Sequence, residues 1–99
     1  MAVTLQLGTP SVIGVAGEAD LDGIGPLQHA LEQAARHHPH LVLDLSGVTF
    51  ADSTFLNALL RARDRALGEG GSVRLRAPSS CVVHVLAVTG ADVLFPIVA

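Results

Sequence analysis

Residues 41–60 read LVLDLSGVTFADSTFLNALL: an apolar segment, a polar break, then apolar residues that recur at helical spacing. His40-Leu41-Val42-Leu43-Asp44-Leu45 is short and nearly continuous in its apolar character, the pattern of a central strand covered on both faces. After the break, Phe55, Leu59, Ala62 and Ala66 form one stripe, with Leu56, Leu60 and Leu67 beside it. Asn57, Arg61, Asp64 and Arg65 fill the opposite side, which makes this an amphipathic helix. At the junction sits Asp52-Ser53-Thr54. With Asp52 as the capping residue, Ser53 and Thr54 occupy the first two helical positions, where backbone N–H groups lack partners and the positive end of the dipole gathers.

The rest of the chain arranges itself around this strand and helix. Downstream, Gly68, Gly70 and Gly71 stop the helix with a left-handed cap, and Ser72-Val73-Arg74-Leu75-Arg76 alternates as a strand. Cys81–Val88 has the β-branched content of a strand, but Ser79-Ser80 before it and Gly90 after it mark the ends of a helix. Leu94–Val98 reads as a closing strand, placed at an edge or bulge by Pro96. Upstream, Val3–Leu7 and Val12–Ala16 flank a Gly8-Thr9-Pro10-Ser11 turn and predict an antiparallel hairpin. GEADLDGIGP then leads into a helix with Pro26 in its first turn, running to about Arg36 with Ile24, Leu27, Leu31 and Ala34 or Ala35 on one face. The order β-β-α-β-α-β-α-β over residues 1–99 predicts a single α/β domain with a small mixed sheet, its parallel crossovers right-handed.

Composition narrows the chemistry. The chain has no Lys, six Arg, nine acidic residues and a net charge of −3, which argues against nucleic acid, whose binders cluster positive charge. Apolar residues make up 49% but only three are aromatic, so the core must be aliphatic. Cys81 is the only cysteine and excludes an internal disulfide, as a reducing cytoplasm would. The first ten residues lack the features of a signal peptide. No apolar run approaches the ~20 residues of a membrane span, so no direct membrane insertion is expected.

Other clusters are weaker. His37-His38-Pro39-His40 with His29 invites a metal, yet three imidazoles in one turn fall short of the four ligands of a structural zinc site; a polar helix-to-strand turn explains them. His84 lies in an apolar segment and is expected to be partly buried and hydrogen-bonded. Cys81, near a helix start, reads as a small buried hydrophobe or as a thiol of lowered pKa. Ser53 as an enzymic nucleophile would need a histidine base and a substrate cleft, and the chain has no Gly-x-Ser-x-Gly elbow or phosphate-binding loop. No cofactor and no catalysis are expected. Two readings of Asp52-Ser53-Thr54 stand: plain capping, or capping with a hydroxyl that serves as a switch.

LVLDLSGVTFADSTFLNALL resembles the core signature of STAS domains, and among them of stand-alone anti-sigma factor antagonists, in which a strand ending Asp-Leu-Ser leads to an Asp-Ser-Ser/Thr segment that opens a helix. Gly17-Glu18-Ala19-Asp20 is similar to that family's Gly-Glu-x-Asp segment after the second strand. The resemblance implies helices mainly on one face of the sheet and a cytoplasmic protein-binding module. Its unmodified form would bind an anti-sigma factor with serine kinase activity and so release a sigma factor, and a phosphatase would reverse the modification. ATP and magnesium would belong to the kinase. Ser53 matches the phosphorylated serine, with Thr54 as an alternative acceptor. Asp20 and Glu18 carry over as contact candidates, beside Asp52, Thr54, Asn57 and Arg61. Where the family commonly has Gly, this chain has Phe55, whose ring either joins the core stripe or stands out as a partner anchor. A phosphorylation-independent adaptor bound to a transporter ATPase or a larger signalling assembly would use the same face without the switch.

Overall fold

The computed structural model describes residues 1–19 and 23–98. Among these, five strands and three helices run in the order β1 (Ala2–Gln6), β2 (Ser11–Ala19), α1 (Ile24–His37), β3 (His40–Ala51), α2 (Ser53–Gly68), β4 (Ser72–Arg76), α3 (Ser80–Thr89) and β5 (Ile97–Val98). A 3-10 turn at Ala91–Leu94 precedes β5, so Leu94 belongs to that turn rather than to the closing strand. The strands form one sheet in chain order, with β1 antiparallel to β2 and every other pair parallel. Ser11 ties the first turn: its Oγ accepts from the Gly8 N–H at 3.1 Å and donates to the Gly8 carbonyl at 3.3 Å.

Register lines up the core. Ile13, Leu43 and Leu75 stand side by side across three strands, and Leu41 pairs with Val73 in the next row. Onto these rows pack Leu27, Leu31 and Ala34 of α1, Phe55, Leu59 and Ala62 of α2, and Val82 and Leu86 of α3, all in one buried cluster. The opposite side of the sheet presents Thr4, Gly14, Asp44 and Arg76 in one row and Gln6, Val12, Val42 and Arg74 in the next. None of these is buried. β3 is therefore central in the sheet but covered on one face only, a correction to the two-sided burial its sequence suggested. The polar break is corrected as well, because β3 continues through Ser46–Ala51, pairing with the end of β2.

The helix ends follow their glycines. Gly70 takes φ 77°, which a side chain would resist, and the Gly71 and Gly70 N–H groups return to the Ala66 and Leu67 carbonyls at 2.7 and 3.1 Å. That is a Schellman cap. Gly71 itself is pressed against Pro39, whose carbonyl accepts from the Ser72 N–H at 3.1 Å. His84, expected to be partly buried, lies exposed on the outer side of α3, because the inward turns of that helix are taken by Val82 and Leu86.

A Cβ on residue 71 would overlap the Pro39 carbonyl. Gly71→Ala is expected to lower unfolding free energy by about 1–3 kcal/mol, the usual cost of overpacking. Urea denaturation followed by circular dichroism measures this; a midpoint equal to wild type would contradict the packing described.

Candidate interaction site at the start of α2

β3 ends at Ala51 and α2 begins at Ser53, leaving Asp52 alone between them. Asp52 is extended (φ −132°, ψ −170°), the backbone of an N-cap, and its Oδ1 accepts from the Phe55 N–H at 3.1 Å. Its own carbonyl takes the Leu56 N–H at 3.0 Å. These bonds fix the rotation of the helix. Phe55 turns inward to 1% exposure and joins the core, which decides between the two roles open to that ring. Ser53 and Asn57, on the outward turns, are exposed, and Thr54 is half-buried.

Arg61 is exposed one turn beyond Asn57 and lines a cleft of about 180 Å³ between α1 and α2, with Leu31, Glu32, Ala58 and Ala62. Its basic neighbours on α2 have partners of their own. Arg63 Nε donates to the Leu94 carbonyl at 3.1 Å, and Arg65 lies 3.8 Å from Glu69. Ser53, Asn57 and Arg61 thus share the outer side of α2, as their spacing of four predicts. Asp20 lies outside the described residues. Among the described residues no histidine is hydrogen-bonded to Ser53, and no group of three or more His, Cys, Asp and Glu side chains is placed to hold a metal. His38 and His40 are turned to local bonds: His38 Nδ1 accepts from the His40 N–H at 3.3 Å, and His40 Nδ1 sits 2.9 Å from Ser72 Oγ.

Two exposed residues shortly before the cap were not singled out by sequence reasoning, Thr49 and Phe50. β3 slips twice against β2, between Gly14 and Ala16 and again between Gly17 and Glu18, so that Glu18 pairs with Phe50 and Ala19 with Ala51. Such bulges insert a residue and re-aim the strand. Ala19 is buried, while Glu18 and Phe50 are exposed. The ring is 48% exposed, against 1% and 2% for Phe55 and Phe95. No local signal marks this, because it depends on where β2 ends. Below the slips, Cys81 is half-buried and its Sγ donates to the Val48 carbonyl at 3.3 Å, joining α3 to β3.

On the open face, Asp44 accepts from the Ser46 hydroxyl at 2.7 Å, from the Ser46 N–H at 3.1 Å and from Arg76 at 3.1 and 3.2 Å. The Ser46 bonds foremost, with Arg76 assisting, hold its carboxyl below the ordinary value of 3.8.

This architecture is that of a STAS domain. A family model described as "Mlab, STAS domain" matches residues 4–98, and the chain belongs to the STAS domain family. It is 32% identical over 90 residues to a STAS-domain containing protein of Pseudomonas aeruginosa, covering 91% of this chain and 89% of that one. An anti-sigma factor antagonist from Mycobacterium paratuberculosis is similar with a TM-score of 0.85 at 28% identity, over 97% of this chain and 83% of that one. The anti-sigma factor antagonist SpoIIAA in its unphosphorylated form matches with a TM-score of 0.84 at 20% identity, over 99% and 89%. The phosphorylated form of SpoIIAA, from Bacillus, gives 0.78 at 19%, over 99% and 92%. Among the described residues no helix is long and apolar enough to cross a membrane.

Two outcomes test the local physics. Asp52→Ala, which strips the cap, is expected to cost about 1 kcal/mol with Asp52→Asn close to wild type; equal stability for all three would show that the cap carries nothing. Asp44 has a lowered folded pKa, so its contribution is complete at neutral pH and drains away as pH falls below 3.8 through the folded value. The gap between wild type and Asp44→Asn, about 1 kcal/mol or less for a partly exposed group, is expected at pH 7 and should narrow steadily as pH falls below 3.8. A gap that stays constant or widens as pH falls below 3.8 would contradict the assignment.

Proposed function

We propose that this STAS domain is an anti-sigma factor antagonist switched by phosphorylation of Ser53. In this reading the unmodified chain binds an anti-sigma factor with serine kinase activity in the cytoplasm and frees a sigma factor; a phosphatase restores the phosphorylated chain. The chain contributes a surface and no catalysis, and needs no cofactor of its own. Ser53, Thr54, Asn57 and Arg61, with Asp52, make up the docking face; Glu18 and Asp20, the latter outside the described residues, are carried as further contact candidates.

One observation carries this reading: Ser53 is exposed at the first position of α2, next to the capping carboxylate of Asp52. A phosphate there adds about −1.5 to −2 charges. The helix terminus favours an anion and Asp52 opposes it, so within the chain the two effects offset and the fold tolerates the modification. A partner pressed against Ser53 has no such compensation and must desolvate the phosphate or withdraw. Phosphorylation is thus expected to act on association rather than on folding. Thr54, half-buried, is the less accessible of the two acceptors.

Phe55 supports a second reading. Where the family commonly has Gly, two residues after Ser53, the ring of Phe55 fills the core. A phosphorylation-independent adaptor for a transporter ATPase or larger assembly would keep the same docking face.

The test compares wild type, Ser53→Ala and Ser53→Asp. The protein retained on immobilised wild type is purified, titrated against each variant, and incubated with the chain and ATP before intact-mass measurement. The antagonist reading expects an anti-sigma kinase, one phosphate on wild type and none on Ser53→Ala, and tenfold or greater weakening in Ser53→Asp. An ATPase that binds all three alike and transfers no phosphate favours the adaptor.

A further inference from the structure

We infer that the cleft between α1 and α2 is a binding site for a free α-amino acid with an apolar side chain. Its two walls repeat one arrangement, in pairs of residues spaced one helical turn apart. On α1, Leu31 and Ala35 line the cleft as a buried pair, and Gln28 and Glu32 as a polar pair. On α2, Ala58 and Ala62 are the buried pair, and Arg61 and Arg65 the exposed one. Leu41 of β3, 1% exposed, completes the apolar lining. Three of these residues are alanines, too short to fill the gap between the helices, and about 180 Å³ stays open. A cavity of about 150 Å³ lined by aliphatic groups is enough for benzene. The cleft therefore has room for one side chain of the size of leucine's.

Charge selects the class of occupant. The wall on α1 carries a carboxylate, Glu32, and the wall on α2 carries two guanidinium groups. The Glu32 and Arg61 side chains have no partner among the described residues, and Arg65 meets Glu69 only at 3.8 Å. A fatty acid gains from Arg61 but faces Glu32, and an alkyl amine gains from Glu32 but faces two cations. A zwitterion satisfies both walls. Its carboxylate accepts from Arg61, with Arg65 adding positive potential, and its ammonium donates to Glu32, both as charge-assisted hydrogen bonds. The side chain then lies against Leu31 and Leu41, an apolar pocket with a few convergent polar groups being the common form of a small-molecule site.

The site is tested on the chain alone, so its outcome is independent of any partner at Ser53. Amide resonances of the isotope-labelled chain are followed by NMR as L-leucine is added at millimolar concentration. Saturable shifts are expected within residues 28–35 and 58–65. Isocaproate, which lacks the ammonium, and isoamylamine, which lacks the carboxylate, should bind about fivefold or more weakly, the effect of one partly solvated charge-assisted hydrogen bond. Arg61→Ala and Glu32→Gln should weaken leucine by a similar factor, with circular dichroism and the urea midpoint as in wild type. Glu32→Gln should leave isocaproate bound at least as well, because it removes the opposing acid. Absence of saturable shifts in those two segments would overturn the inference. So would leucine held no more tightly than its two analogues, or unaffected by both substitutions.

Discussion

A single residue, Asp52, separates a twelve-residue strand from a sixteen-residue helix, and the rest of the molecule depends on how it makes that turn. Its carboxylate takes the Phe55 N–H and its carbonyl takes the Leu56 N–H, so no loop remains to absorb a change of phase. Each residue of an α-helix advances the side chains by about 100°. With Phe55, Leu59 and Ala62 fixed toward the sheet, Ser53, Asn57 and Arg61 have no direction left but outward. The buried stripe and the exposed row of α2 are two consequences of one cap.

This division of labour would suit the proposed switch, which changes the surface alone. The buried cluster involves no ionised group, and the one polar residue buried among the described residues, Ser11, is satisfied by Gly8. The sheet is re-aimed instead at the far end of β2 and β3, where two register slips precede Ala19 and Ala51. There the sheet stops being core, and Glu18, Thr49 and Phe50 stand exposed. Adding charge at Ser53 touches that margin, leaving the rows of Ile13, Leu43 and Leu75 undisturbed.

Much of this is legible in the sequence, where a local period or a cap carries the signal. The stripe Phe55-Leu59-Ala62-Ala66, the hairpin, the glycine stop after α2 and the helical choice for residues 81–88 all rest on patterns read within a few residues, and all appear in the structure. What escaped was non-local. An apolar run such as His40–Leu45 looks the same whether one face is covered or two, since Val42 and Asp44 reveal their exposure only against Arg74 and Arg76 of the neighbouring strand. Ser46–Ala51 looks like a break, because its partners are residues 16–19, some thirty positions away. The exposure of Phe50 follows from slips between two strands, and that of His84 from which turns of α3 meet the sheet; neither is written in the adjoining residues. Phe55 was open between two roles until its burial assigned it to the core.

Amide hydrogen exchange, measured on the chain alone and when saturated with its partner, bears most directly on the central claim that the start of α2 is the contact surface. The Ser53 and Thr54 amides lie in the first helical turn, where helix geometry supplies no partner, and should exchange fast in the free chain. The account predicts slowed exchange across residues 49–57 and 17–19 in the complex, with α3 and the open sheet face unaltered. Protection confined to residues 80–89 or to the Asp44–Arg76 face, with 49–57 exchanging as before, would contradict it.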